Sequence, residues 1–295
     1  MSLYNENPLL FVGGDMRQIR VINEISKVRK TYILGFNEAD TKIFHENVSV
    51  LNSTEGICGK FKIIILPLPY SLDGLNVNAI FSDSLIETCD IFKNIPRNAF
   101  VLAGKCDDKI ETLSQIYEAT LIDYLNREEL QVLNAVPTAE GAIQIAMEET
   151  SHTIHNSNCL VIGNGRIGKI LAKMLYGIGA NVTISARKQR DLALAQSFGY
   201  SSIPIWELHN FIGNFDIIFN TVPTMILDSG LISKLNKRCL IIDLASKPGG
   251  VDFNSAKQRE IKAIWALSLP GKVAPDTAGD IIKDTIINIL SEMEV

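Results

Sequence analysis

The sequence predicts an α/β chain built of two doubly wound parallel-sheet domains, and three observations predict it. Short continuous apolar runs alternate with helix-periodic stretches through both halves, as expected of parallel strands buried on both faces by helices. At 295 residues the chain is long for one core and comfortable for two. The third observation is local: Gly163-Asn164-Gly165-Arg166-Ile167-Gly168 stands directly behind the run Cys159-Leu160-Val161-Ile162 and directly before an amphipathic stretch.

In the first half, strands are expected at Leu9-Leu10-Phe11-Val12 and at residues 31–35, 62–66, 100–103 and 120–124. A turn, Gly13-Gly14-Asp15-Met16-Arg17, and a helix to about residue 29 separate the first two. Pro67 and Pro69 end the third strand, because proline cannot donate to a ladder. Five strands in this pattern read as a flavodoxin-like domain. The stretch Asn134-Ala135-Val136-Pro137-Thr138-Ala139-Glu140-Gly141 then opens a helix to about residue 150. Pro137 fits its first turn, and Glu140 complements its dipole. The expected organisation is an N-terminal substrate or catalytic domain over residues 1–136, a connecting helix and linker over 137–157, a second domain over 158–274 and a C-terminal helix over 275–295. In that last helix Ile282, Ile286, Ile289 and Met293 form one apolar face. Such a face needs a partner surface, for which a return to the first domain is the natural source.

Strand, glycine turn and helix in this order make a dinucleotide fingerprint, so the second domain reads as a Rossmann NAD(P)-binding domain. Gly163 allows the tight turn, Gly165 lets backbone approach a pyrophosphate, and Gly168 lets helix and strand pack. The phosphates would rest on the helix N-terminus, touched by Asn164, Arg166 and Ile167. The helix itself repeats Ile167, Ile170, Leu171, Met174, Leu175 and Ile178 on one face. A strand over residues 181–185 then ends in Ser185-Ala186-Arg187-Lys188. An NAD enzyme places a carboxylate here for the ribose 2′-hydroxyl. A hydroxyl and two cations suit a 2′-phosphate instead, which favours NADP over NAD; a solvated loop is the bland alternative. Further strands are expected near 202–205 and over 216–220. After the latter, Thr221, Val222 and Pro223 should pass near the nicotinamide ribose. Strands over 239–243 and 261–265 each lead into a Gly/Pro-rich loop, one carrying Lys247 and the other Lys272.

A net charge of −5 and a pI near 5.5 give no basic face for nucleic acid. No apolar stretch reaches the length of a membrane span, and residues 1–8 lack a signal-peptide pattern, so a cytoplasmic protein is expected. Cys58, Cys89, Cys106, Cys159 and Cys239 are dispersed and odd in number, which fits reduced thiols. His152 and His155 have no ligand partner nearby in sequence, and no metal is expected.

Several of these segments together resemble the family of dehydrogenase-like subunits of dipicolinate synthase. They are Val12-Gly13-Gly14-Asp15-Met16-Arg17-Gln18, Ile33-Leu34-Gly35-Phe36, Pro137-Thr138-Ala139-Glu140-Gly141 and the fingerprint. Asn220-Thr221-Val222-Pro223, Asp243-Leu244-Ala245-Ser246-Lys247-Pro248-Gly249-Gly250 and Leu269-Pro270-Gly271-Lys272-Val273-Ala274-Pro275 complete the set. The catalytic set of D-2-hydroxyacid dehydrogenases, whose architecture is similar, is absent. The resemblance implies oxidation of a dihydrodipicolinate-type intermediate of the lysine route to pyridine-2,6-dicarboxylate with NADP. It further implies a second, flavoprotein-like dipicolinate synthase subunit for a partner, an oligomeric complex, and action in the mother-cell cytoplasm during sporulation. A two-carboxylate substrate calls for cations, for which Arg17, then Lys247 and Lys272, are the candidates. Asp15, Arg17, Glu140 and Asp243 are the candidates for catalysis. Asp15 could equally cap a helix, and Asp243 could form a turn. Alternatives are another NAD(P)-dependent dehydrogenase of a small amino or hydroxy acid, and a non-catalytic nucleotide-binding scaffold.

Overall fold

Twelve strands among the described residues, 7–37 and 42–293 of this computed structural model, form two six-stranded sheets in which every pairing is parallel. The expected leader-free start at residues 1–6 lies outside the described residues. The first sheet comprises β1 (Leu9–Val12), β2 (Thr31–Leu34), β3 (Val48–Leu51), β4 (Ile63–Ile65), β5 (Phe100–Ala103) and β6 (Thr120–Asp123), in the order β3-β2-β1-β4-β5-β6. Helices α1 (Met16–Ser26), α2 (Thr88–Asn94) and α3 (Asp108–Ile116) connect them. The central strands β1 and β4 are apolar throughout because both faces are covered; Leu9–Val12 and Ile63–Ile65 are wholly buried. Truncating one such side chain, as in Ile64→Ala, costs about 3 kcal/mol in lost burial and cavity.

Five of these six strands coincide with the runs expected from sequence. Without β3 the order would be 2-1-3-4-5, the flavodoxin arrangement; with it, the order is 3-2-1-4-5-6, that of a dinucleotide-binding sheet. β3 is an edge strand with partly exposed side chains, Val50 among them. It therefore lacks the apolar run that betrays a buried strand.

Helix α4 spans Glu128–Glu149 and carries Pro137 in its interior. This corrects the placement of Pro137 in a first turn and of the connecting helix at residue 137. The real start is marked by Glu128 and Glu129 in the first turn, which complement the N-terminal dipole. An interior proline removes one backbone donor. Just beyond it, the Thr138 hydroxyl donates to the Asn134 carbonyl at 2.7 Å.

The second sheet comprises β7 (Asn158–Ile162), β8 (Asn181–Ala186), β9 (Ser201–Pro204), β10 (Ile217–Asn220), β11 (Leu240–Asp243) and β12 (Lys262–Trp265), ordered β12-β11-β10-β7-β8-β9. Counted within its own unit, this is again 3-2-1-4-5-6. Its main helices are α5 (Arg166–Ile178), α6 (Gln189–Ser197) and α7 (Phe253–Gln258). The expected loop around Lys272 is in fact a short helix, α8 (Leu269–Val273). Helix α9 (Pro275–Glu292) starts on Pro275, a residue preorganised for a first turn.

The chain divides into residues 1–131 with 274–295 and residues 132–273. Helix α9 belongs to the first unit, where Ile282, Ile286 and Ile289 join the core formed by Ile22 and Ile25 of α1. A Cβ on Gly279 would stand 2.8 Å from the Arg17 carbonyl oxygen, so α1 and α9 cross where only glycine fits.

Candidate functional site

The second unit is organised around the turn from β7 to α5. Gly163 has φ of +99°, a conformation glycine adopts without strain, and its amide donates to the Ser185 carbonyl at 2.8 Å. A Cβ on Gly163 would collide with the Thr221 hydroxyl and Val222, and one on Gly168 would overlap the Gly163 carbonyl. At Gly165 no atom stands within 4 Å of where a Cβ would be. The first and third glycines are thus required by packing, and the middle one borders open space. Gly165 is also the N-cap of α5, with no side chain capping it. An uncapped N-terminus facing open space is an anion cradle, and it fits a dinucleotide pyrophosphate.

The neighbouring residues hold this turn in shape. Thr221 Oγ1 donates to the Ile162 carbonyl at 2.9 Å, and the Asn164 side chain donates to the Asp191 carbonyl on α6 at 3.0 Å. Ile167 packs against the core beneath, while Pro223 is exposed. At the end of β8, Arg187 and Lys188 are exposed, and neither has an ion pair among the described residues. Arg190, one position into α6 and not singled out from the sequence, is exposed too and makes only a 3.5 Å pair with Asp191. Ser185 differs from its expected role: it is 0% exposed and its Oγ has no partner. Its side chain belongs to the sheet interior rather than to a ribose contact.

Asp243 ends β11 fully buried, and its oxygens are taken up by the chain around it. Oδ1 accepts from Asn220 Nδ2 at 2.8 Å and from the Ala245 amide at 3.1 Å, and Oδ2 accepts from the Gly250 amide at 2.9 Å. Asn220 in turn donates to the Val222 carbonyl at 3.0 Å. Asp243 therefore fixes the loop of residues 244–250 against the loop after β10, instead of standing free as an acid or base. The same loop receives the Trp265 indole N–H on the Ala245 carbonyl at 2.9 Å and presents Lys247 to solvent. Lys272 is exposed on α8.

In the first unit the corresponding turn, β1 to α1, is built differently. Asp15 is the N-cap of α1 and accepts the Arg17 amide at 3.0 Å. The same carboxylate holds the Arg17 guanidinium through Nε at 3.0 Å and Nη2 at 2.7 Å. Nη2 also donates to the Leu68 carbonyl. The Arg17 side chain is only 9% exposed, so it is locked in place, with Nη1 in no hydrogen bond among the described residues. Nearby, burial holds the Tyr124 phenol well above its ordinary range, and its hydroxyl donates to the Leu66 carbonyl at 3.0 Å.

Glu140 is not brought to either turn. It lies on the exposed face of α4, lining a groove with Met174 and Ile178 from the C-terminal half of α5, whereas the fingerprint is at that helix's N-terminus. Its supposed position in a first helical turn fails with the earlier start of α4. His155 contacts the Ile178 carbonyl at 3.2 Å. Among the described residues no group of three or more His, Cys, Asp or Glu side chains could hold a metal. Burial pushes the Cys159 and Cys239 thiols up to about 12. No helix among the described residues is long and apolar enough to cross a membrane.

Residues 144–264 match the family described as Shikimate / quinate 5-dehydrogenase, and residues 8–125 match that of the N-terminal domain of the dipicolinate synthase A subunit. The strand order, the glycine cradle and a dehydrogenase match over the same unit define an NAD(P)-dependent oxidoreductase. More particularly, the chain is 32% identical over 285 residues to the dipicolinate synthase A subunit of Bacillus subtilis (strain 168), covering 96% of this chain and 95% of that protein. The crystal structure of the dipicolinate synthase A subunit from Bacillus halodurans superposes with a TM-score of 0.91 at 30% identity, over 96% of this chain and 97% of that one. That of the corresponding Bacillus subtilis protein gives 0.92 at 31%, over 99% and 98%. The chain belongs to the family of dipicolinate synthase A subunits. Its relatives are each one subunit of a synthase, which implies a partner subunit.

Proposed function

We propose that this chain is the dehydrogenase subunit of a dipicolinate synthase, oxidising a dihydrodipicolinate-type intermediate to pyridine-2,6-dicarboxylate with NADP. The observation that carries this reading is the relation at 32% identity over 96% of the chain to a protein of that name. The glycine cradle supports the cofactor class, and the exposed Arg187, Lys188 and Arg190 support NADP over NAD, because clustered cations favour a 2′-phosphate. When bound, the nicotinamide supplies the hydride acceptor. Aromatising the ring releases one hydride and one proton, so the protein's task is to orient the ring and hold its carboxylates.

For that task Arg17 is the leading ligand: Asp15 and Leu68 fix its guanidinium while Nη1 remains for a substrate carboxylate. Asp15 acts here as a positioning residue. Lys247 and Lys272 are the remaining cationic candidates, and Asp243 positions the Lys247 loop. The partner is the second, flavoprotein-like subunit of the synthase, and the site of action is the mother-cell cytoplasm during sporulation.

The test is reconstitution of purified chain, partner subunit, the lysine-pathway intermediate and NADP. The ultraviolet absorbance of pyridine dicarboxylate should appear; its absence, with or without added flavin, contradicts the reading. Arg17→Ala should abolish turnover while leaving NADP affinity unchanged, whereas unchanged turnover would favour a nucleotide-binding scaffold.

A further inference from the structure

In the first sheet the winding reverses between β1 and β4, as the order β3-β2-β1-β4-β5-β6 shows. In a doubly wound sheet a crevice opens at that point, outside the carboxyl ends of the strands. Two segments border it: the turn after β1, which carries Asp15 and Arg17, and the loop after β4, residues 66–70. A third segment crosses both. Asn78 donates its backbone amide to the Tyr70 carbonyl at 2.8 Å, and its own carbonyl accepts the Gly14 amide at 2.8 Å. A Cβ on Gly13 would stand 2.9 Å from that carbonyl oxygen, so the crossing is this close because residue 13 is glycine.

The backbone of Asn78 is therefore fixed on both sides without help from its side chain. That side chain is half-buried and reaches the loop after β4, with Nδ2 3.4 Å from the Pro69 carbonyl oxygen. The preceding carbonyl, that of Leu68, accepts from Nη2 of Arg17. A carboxamide and a guanidinium thus rest on consecutive carbonyls of one loop. The Pro69 contact is at the long limit of a hydrogen bond and engages one of the two Nδ2 hydrogens. The other hydrogen and Oδ1 have no partner among the described residues.

Arg17 alone gives an incomplete grip. Its Nε and Nη2 are taken by Asp15 and Leu68, so a carboxylate meets Nη1 only, without the two-pronged fork that normally orients it. A carboxylate held at one oxygen pivots about that contact, and pivoting defeats the near-attack geometry that hydride transfer needs. A second donor to the other oxygen fixes the plane. We infer that Asn78 is a substrate-binding residue, whose Nδ2 donates to the second oxygen of the ring carboxylate held by Arg17 Nη1. The inference rests on the proposed reading of Arg17 and adds to it the residue that sets the orientation of the ring.

Calorimetric titration of the full chain, saturated with NADP, with pyridine-2,6-dicarboxylate tests it. Asn78→Ala should weaken binding by about 20-fold, the loss of one hydrogen bond to a charged group. Asn78→Asp should weaken it by about a further tenfold or more, because the new carboxylate faces that of the ligand. Circular dichroism and NADP affinity, native in both variants, confirm folding. If Asn78 only pinned its segment to Pro69, both variants would lose the same bond and bind the ligand alike. That equality, or native affinity in both, would overturn the inference while leaving the dicarboxylate reading in place, since the native chain still binds. A native chain that does not bind pyridine-2,6-dicarboxylate would overturn the inference and that reading together.

Discussion

The two units share one strand order and place a glycine turn at the same point, between first strand and first helix, yet the two helix N-termini are chemically opposite. At α5 the N-cap is Gly165, uncapped and facing open space. At α1 the N-cap is Asp15, whose carboxylate occupies the Arg17 amide and guanidinium. A carboxylate in that place satisfies the helix donors and repels a phosphate. The topology supplies the same turn twice, and in the proposed function the residue at the N-cap, Gly165 or Asp15, decides which of the two takes a dinucleotide.

The largest expected effect comes from making the second turn resemble the first. Gly165→Asp places a carboxylate in the open space and should weaken NADP binding by at least about 100-fold, or ~3 kcal/mol. Calorimetric titration measures the loss, and the thermal midpoint should not fall. The converse change acts on stability. Asp15→Ala removes both the cap of α1 and the partner of a largely buried guanidinium, and should cost about 3 kcal/mol in urea unfolding. NADP affinity should stay native, because the proposed function seats the cofactor on the other turn.

Smaller effects refine the cofactor side of the comparison. Arg187→Ala and Lys188→Ala should each raise the KM for NADP by about tenfold, ~1.4 kcal/mol, with little change for NAD. Equal effects on both dinucleotides would assign these cations a general phosphate role. The smallest effect is a null one. With their thiols pushed up to about 12, Cys159 and Cys239 carry almost no thiolate at pH 8 and should resist alkylation in the native protein. The exposed Cys58 should be labelled, and mass spectrometry of the modified peptides distinguishes them.

All six strands of the second sheet and the glycine turn between β7 and α5 were legible in the sequence: β7, β10 and β11 as buried apolar runs, β8, β9 and β12 as short segments spaced between helical stretches, and the turn because its glycine spacing has a steric cause. What escaped was marginal or tertiary. β3 is a partly exposed edge, and Pro137 imitates a helix start that in fact lies well before it, at Glu128. Ser185 sits at the expected sequence distance for a ribose contact, but β8 is buried on both faces through Ala186 and encloses its side chain. The carboxylate of Asp243 reads as a catalytic candidate until its three backbone and amide donors are seen. In both cases residue type was visible and direction was not, since direction depends on partners remote in sequence.

The most direct test of the account is a crystal structure of the chain with NADP. The pyrophosphate should lie over Gly165 within hydrogen-bond reach of the first backbone amides of α5, with the 2′-phosphate beside Arg187 and Lys188. A dinucleotide seated on the Gly13-Gly14-Asp15 turn, or one whose phosphates avoid the N-terminus of α5, would contradict it.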